Sequence, residues 1–212
     1  MKRILSKAAA AALMVLLLAG CGEDRPSDKV AEPVVRKLAE TDLADGLEIV
    51  DFQRSNGQLD PDSANRYRVT YTYKLQLAKP YGEVILGLAR GLNEELQQSA
   101  ARQAQSDMDF GALQDGVNLM QSVMVVSQWI NAQGDGFAPR RDAMLAACAP
   151  CRAFWESADA PEQAELRRVS FIVAWNHLEQ MQFADDFQVG DGVERHAWHN
   201  FEKTEKGWLP SN

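Results

Sequence analysis

The clearest pattern along the chain is a strict alternation of apolar and polar positions between Tyr67 and Leu77. Tyrosine, valine and leucine occupy the odd positions, and charged or polar side chains occupy the even ones. Because successive side chains of a β-strand point to opposite faces, this alternation predicts a long strand with one buried and one wetted face. Leu47–Arg54 is rich in β-branched and aromatic residues and predicts another strand. Asn56–Gly57 favours a turn after it.

Helical spacing marks the segment before these strands. Ser27 or Asp28 is placed to cap a first helix, which is predicted to end near Asp45–Gly46. The predicted apolar face of this helix consists of Val30, Val34, Val35 and Leu38.

A block of helices is predicted after Lys79–Pro80, where leucine and valine recur every four residues. The predicted helices cover 83–105, 109–130, a segment that starts after Pro139, and a segment capped near Asp159 and Glu162. The last of these has a β-branched centre, so a buried strand is its alternative.

Two strands are predicted to close the chain, Val193–Lys203 and a short one that begins at Trp208. Hairpins at opposite ends of a chain can pair into one antiparallel sheet, and the first helix can cover one face of it. We therefore expect an α+β fold in a single domain over 30–212, with a large helical insertion at about 81–187. This arrangement resembles the cystatin-like and NTF2-like shapes.

The N-terminus carries a targeting signal. Three basic residues precede an unbroken apolar run of eleven residues, Ala8–Leu18, which is too short to span a bilayer and is typical of an export signal. The run ends in Leu18-Ala19-Gly20-Cys21, which resembles the lipobox of bacterial lipoproteins. The alternative is a plain signal peptide with a cysteine nearby.

The resemblance implies that residues 1–20 are removed and that Cys21 receives lipid, palmitate among the acyl chains. Residues 21–29 then form the lipidated cysteine and a tether. Gly22 follows the cysteine where that class uses aspartate for inner-membrane retention, so we expect an outer-membrane protein facing the periplasm. The closing segment Phe201–Trp208 also resembles the last hairpin of small bacterial lipoproteins of unknown function.

Amino-acid composition and net charge limit the classes of partner that this chain can bind. The 212 residues are 46% apolar and 25% charged, which fits a globular protein. Removal of residues 1–20 leaves 19 basic and 30 acidic residues, a net charge of about −11. That charge argues against a nucleic-acid partner.

The strongest chemical motif is Cys148-Ala149-Pro150-Cys151. It resembles the thioredoxin active site, whose first cysteine is activated by a helix N-terminus. That family also needs a strand just before the pair, whereas residues 142–147 predict a helix. A structural disulfide between Cys148 and Cys151, a pair of free thiols and a redox-active pair stay open as alternatives.

Other candidate sites are weak. His196 and His199 are three apart on a predicted strand and point to opposite faces, so we expect no metal site. Asp185–Asp186 is typical of a solvated surface. The methionines and tryptophans of the insertion could line a groove or form its core; they are Met108, Met120, Met124, Met144, Trp129 and Trp155.

Two functions are compatible with these patterns. We expect no catalytic residues and no cofactor in a non-catalytic lipoprotein that binds an envelope protein or a small apolar ligand. The alternative is a membrane-tethered thiol-disulfide oxidoreductase that uses Cys148 and Cys151.

Overall fold

The computed structural model describes residues 24–105, 123–157 and 160–211. The helices are α1 (Asp28–Glu40), α2 (Tyr81–Gln105), α3 (residues 123–133), α4 (Phe137–Ala147), α5 (Ala149–Trp155) and α6 (Pro161–Gln180), with a 3₁₀ turn at Gly134–Gly136. The strands are β1 (Leu47–Asp60), β2 (Ser63–Leu77), β3 (Gly192–Thr204) and β4 (Gly207–Pro210).

Several predicted features lie outside the described residues. They are the signal 1–20, Cys21, Gly22, the part of the second predicted helix before residue 123, and Asp159. Among the helices that are described, none is long and apolar enough to cross a membrane.

The four strands of the described chain form one sheet in the order β1-β2-β3-β4. β3 pairs antiparallel with β4, and Phe201 lies opposite Pro210. At the start of β3, the Leu77 N–H of β2 donates to the Asp191 carbonyl at 2.9 Å, and the Gly190 N–H donates to the Leu77 carbonyl at 2.8 Å. The hairpins from the two ends of the chain therefore share one sheet, and the predicted α+β class is confirmed.

The turn predicted at Asn56–Gly57 is wrong, because β1 runs through both residues and the chain reverses at Pro61–Asp62. A Cβ atom at Gly57 would lie 2.7 Å from the ring of Tyr67 on β2. Because Gly57 has no side chain, the Tyr67 ring can pack against the backbone of β1. This glycine therefore serves close packing within a strand and does not form a turn.

Contacts divide the described chain into two compact units. Unit 1 comprises 24–41, Asp51–Tyr73 and 194–211. Unit 2 comprises Asp42–Val50 and the described part of Lys74–Val193.

The core of unit 1 lies between α1 and the sheet, as predicted. It consists of Ala31, Val35, Val69, Tyr71, Phe201 and Trp208. The apolar face of α1 is only partly as predicted, because Val30 is 37% exposed and Leu38 is 48% exposed. The helix also ends at Glu40, before the predicted Asp45–Gly46, since Asp42 adopts a positive φ of 59° that stops the helix.

The core of unit 2 lies between α2 and α6, which pack along each other. The buried side chains include Val84 and Ile85 of α2 and Phe171, Trp175 and Leu178 of α6. The segment with the β-branched centre is therefore a helix, and its strand alternative is wrong. Burial on several sides explains why apolar residues occur around the whole of this helix.

The buried Tyr71 gives a test of unit 1. Its hydroxyl donates to Asp28 Oδ1 at 2.9 Å, and burial together with that hydrogen bond raises the pKa of Tyr71 above its ordinary value. We expect Tyr71→Phe to lower the free energy of unfolding at pH 7 by about 1 kcal/mol, measured by urea denaturation.

The same experiment has a pH arm. Above pH 10 the unfolded chain loses the tyrosine proton that the folded chain keeps, so this tyrosine lowers stability as the pH rises. The difference between wild type and Tyr71→Phe should therefore shrink above pH 10. Tyr67→Phe is the control, and an equal effect of both substitutions at pH 7 would contradict the assigned bond.

Candidate functional site

A groove of about 350 Å³ in unit 2 opens beside the bond between Cys148 and Cys151. This disulfide groove is lined by residues 80–83, 147–150 and 187–189, together with Met144 and Asp185. The lining residues come from the start of α2, the junction of α4 with α5, and the segment between α6 and β3. Its volume is in the range of sites for small molecules.

The two cysteines sit where α4 ends and α5 begins. The Cys148 N–H donates to the Met144 carbonyl at 3.0 Å, and Cys148 Sγ accepts from the Cys151 N–H at 3.2 Å. The two sulfurs are bonded at 2.00 Å. Pro150 lies in the first turn of α5, where a helix does not use its N–H. The pair therefore joins two helices, and residues 142–147 are helical as predicted.

The two sulfurs differ in access. Cys148 is 8% exposed and lines the groove, whereas Cys151 is fully buried. Gly82 of α2 lies against both, because a Cβ atom there would be 3.0 Å from Cys148 Cβ and 3.3 Å from either sulfur. Cys151 Sγ also lies 3.1 Å from the Gly82 carbonyl oxygen. Any larger residue at position 82 would press on the disulfide.

The start of α2 forms one wall of the groove. β2 ends at Leu77, and the carbonyl of Pro80, the residue before α2, accepts from the Glu83 and Val84 N–H groups at 2.8 and 3.2 Å. This fixes Tyr81 in the first turn, where it is 4% exposed. The Tyr81 hydroxyl has no hydrogen-bond partner among the described residues.

Behind the groove lies a group of three charged side chains, Arg140, Glu179 and Asp185, here named the Arg140 cluster. Arg140 of α4 donates to Glu179 and, from two nitrogens, to Asp185 Oδ2 at 2.9 and 2.7 Å. The Trp129 indole donates to Glu179 at 2.8 Å, and the Trp175 indole donates to Asp185 Oδ1 at 2.8 Å. One cation therefore serves two carboxylates, and the cluster has a net charge of −1.

Burial, hydrogen bonds and charges at the Arg140 cluster shift the pKa values of Arg140 and Tyr81. Burial lowers the pKa of Arg140, but its hydrogen bonds to Glu179 and Asp185 outweigh burial and leave that pKa above its ordinary value. Burial, and then the negative charges of Asp185 and Glu179, raise the pKa of Tyr81. The Tyr81 hydroxyl therefore keeps its proton throughout the physiological range.

The predicted histidines lie elsewhere, in unit 1. His196 Nδ1 is 3.2 Å from Thr72 Oγ1, and the His199 ring meets the Phe201 ring edge-on at 5.5 Å. Across the ranges that are described, no group of histidine, cysteine, aspartate and glutamate is arranged to hold a metal.

The methionines and tryptophans of the insertion follow the core alternative more than the groove alternative. Among the described members, only Met144 lines the disulfide groove. Trp129 and Trp155 pack against the core cluster of Val126, Val169 and Ile172, and Met124 is 55% exposed. Met108 and Met120 lie outside the described residues.

Several residues of this site are not predicted as functional by the sequence. Asp185 was assigned to a solvated surface, yet it is bonded to Arg140 and Trp175. A weak signal existed in Tyr81 and Gly82, since a glycine in the first turn of a strong helical pattern costs stability unless close packing requires it.

Comparison with known proteins gives no family for this chain. No protein-family model matches it, and no match is found among curated proteins or solved structures. The resemblance to cystatin-like and NTF2-like shapes stays a prediction.

The Arg140 cluster can be tested by removing its cation. We expect Arg140→Met to lower the free energy of unfolding by about 1–3 kcal/mol, because it leaves Glu179 and Asp185 facing each other without a cation. Arg168→Met is the matched control, since Arg168 is exposed, pairs at 3.8 Å with the exposed Glu165 and should change stability by less than about 0.5 kcal/mol. Equal effects in thermal denaturation would contradict the role of the cluster.

Proposed function

We propose that this chain is a lipid-anchored protein of the bacterial outer membrane that faces the periplasm and binds a small, largely apolar ligand in the disulfide groove. The observation that carries the binding role is the groove itself, a space of about 350 Å³ that the start of α2, the junction of α4 with α5 and the segment before β3 enclose together.

The anchor is supported by the resemblance of Leu18-Ala19-Gly20-Cys21 to a lipobox. Several acyl chains on Cys21 would give stable attachment where a single chain gives only marginal binding. Residues 22–27, the stretch between Cys21 and the start of α1, would reach about 21 Å if fully extended. The folded part of the chain would therefore stay close to the membrane surface.

The lining of the groove supports an apolar ligand with few polar groups. Met144, Pro150, Phe187 and Val189 supply apolar surface, and Val189 is 58% exposed. Sites of this kind commonly combine an apolar wall with a small number of placed polar groups.

The lining lacks one common catalytic arrangement. Of the described side chains around the groove, none is a serine, a histidine or a lysine. A serine activated by an adjacent histidine or lysine therefore has no counterpart in this wall.

Thiol-disulfide exchange is the second candidate, and the unequal burial of the two sulfurs favours it. A thiolate of a substrate dithiol would attack Cys148 Sγ, and the electron pair of the broken bond would pass to Cys151 Sγ, which takes a proton. The second substrate thiolate would then attack its own mixed disulfide and release Cys148. The products are a substrate disulfide and two protein thiols.

The anchor is tested by metabolic labelling. Cells that express the full chain should incorporate labelled palmitate into it, and the chain with Cys21→Ser should incorporate none. Cys148→Ser is the control, because the resemblance assigns lipid to Cys21 alone. Palmitate in the Cys21→Ser chain would contradict the proposed anchor.

Ligand binding is tested with the neutral apolar probe N-phenylnaphthylamine and the detergent-free Cys21→Ser chain. We expect a saturable rise in probe fluorescence. Ala147→Trp fills the groove and should weaken binding at least about tenfold, a loss of about 1.4 kcal/mol.

Ala146→Trp is the matched control, since Ala146 is exposed on the same helix and does not line the groove. Equal probe affinity in the two variants, or no saturable signal in the parent chain, would contradict binding in the groove. Unchanged melting temperatures would show that both variants fold.

The two candidate functions differ in redox behaviour. A buried structural disulfide is expected to have a potential below about −300 mV, whereas exchange catalysts lie near −120 to −200 mV. Equilibration against dithiothreitol, followed by thiol trapping, measures it. We expect the lower value, and rapid alkylation of Cys148 in the reduced native protein would instead favour exchange.

A further inference from the structure

The charged side chains that line the disulfide groove are all acidic. They are Glu83 in the first turn of α2 and Asp185 in the segment before β3. Glu83 is exposed and forms no ion pair within the described ranges. Asp185 belongs to the Arg140 cluster, in which one guanidinium already serves two carboxylates.

The positive charge near the groove does not balance these carboxylates. Among the side chains that line the groove or form the Arg140 cluster, Glu83, Glu179 and Asp185 contribute three negative charges, and Arg140 contributes one positive charge. The N-termini of α2 and α5, which both lie at the groove, add about half a positive charge each, so the sum is about −1. This charge favours a cation over an anion, and salt can screen it because Glu83 is exposed.

One acceptor position at the groove has an unused lone pair. Asp185 Oδ2 takes both bonds from Arg140, whereas Oδ1 accepts, among the described residues, only the Trp175 indole N–H at 2.8 Å. A carboxylate oxygen has two lone pairs, so Oδ1 can accept once more. The oxygen of the neighbouring Tyr81 is fully buried and does not face a ligand in the groove.

We propose that the ligand of the disulfide groove is an amphipathic cation, an apolar or aromatic body that carries a protonated amine. This inference rests on the proposed binding function and names the chemical class of the ligand. The ammonium group donates to Asp185 Oδ1, and Glu83 adds attraction at the exposed edge. The apolar body packs on Met144, Phe187 and Val189.

The same charges select against acidic ligands. A fatty acid or a phosphate ester would bring a further negative charge beside Glu83 and Asp185, and no lysine or arginine is among the described lining residues. Like charges held at short range are mutually destabilising. The order of affinity expected for one apolar body is therefore amine, then alcohol, then carboxylate.

Three probes of similar size test this order: 2-phenylethylamine, 2-phenylethanol and 3-phenylpropanoate. Each is titrated into the Cys21→Ser chain at pH 7 by calorimetry, at low and at high sodium chloride. We expect the amine to bind about tenfold more tightly than the alcohol, and the carboxylate to bind most weakly. High salt should weaken binding of the amine alone.

Single substitutions test whether Glu83 contributes to the affinity for the amine. Glu83→Gln should lower the affinity for the amine about threefold and leave the affinity for the alcohol unchanged. Glu162→Gln on α6 is the matched control, because Glu162 is exposed and does not line the groove.

The outcomes separate this inference from the proposed function. An amine that binds no more tightly than the alcohol, or a Glu83→Gln variant that matches Glu162→Gln, overturns the cationic ligand. If N-phenylnaphthylamine still binds in the groove, the binding function stands and only the ligand class is wrong. Failure of every probe, the neutral one included, overturns both proposals.

Discussion

The candidate site depends on one guanidinium shared between two carboxylates. Arg140 ties α4 to Glu179 near the end of α6 and to Asp185 in the following segment. The indole N–H groups of Trp129 and Trp175 complete the bonds of those carboxylates. Because Asp185 is held in this way, the segment that follows it has a defined place as one wall of the groove. In the proposed binding site, the surplus negative charge of the cluster would favour a cationic ligand.

Local sequence patterns predicted the elements well but not their interactions. The alternation from Tyr67 to Leu77 identified β2 because strand geometry acts between neighbouring residues. Arg140, by contrast, finds Glu179 and Asp185 at separations of 39 and 45 residues. No periodicity connects positions so far apart, and an aspartate next to another aspartate is most often solvated. The cluster therefore depends on the packing of α4 beside α6, which local sequence patterns do not predict.

Two glycines also show why the sequence alone did not predict contacts between distant residues. Asn56–Gly57 has the composition of a tight turn, yet its glycine makes room for Tyr67 within a strand. Gly82 makes room for the disulfide at the start of α2. In both places the cause is contact with a distant side chain. A sequence shows that a Cβ atom is missing, but not which neighbour needs the space.

The acidic groove also bears on the choice between the two functions. A reactive cysteine needs its thiolate stabilised, and such cysteines lie in electropositive surroundings. Cys148 receives one N–H bond from Cys151, but the charged residues that share its groove are Glu83 and Asp185. Arg152, the nearest basic residue in sequence, donates to the Leu145 carbonyl and does not line the groove. The negative charge of these two residues would repel an attacking thiolate. The carboxylates that would favour a cationic ligand therefore weaken the case for exchange, and the disulfide is better suited to fix the junction of α4 with α5, where it packs against Gly82.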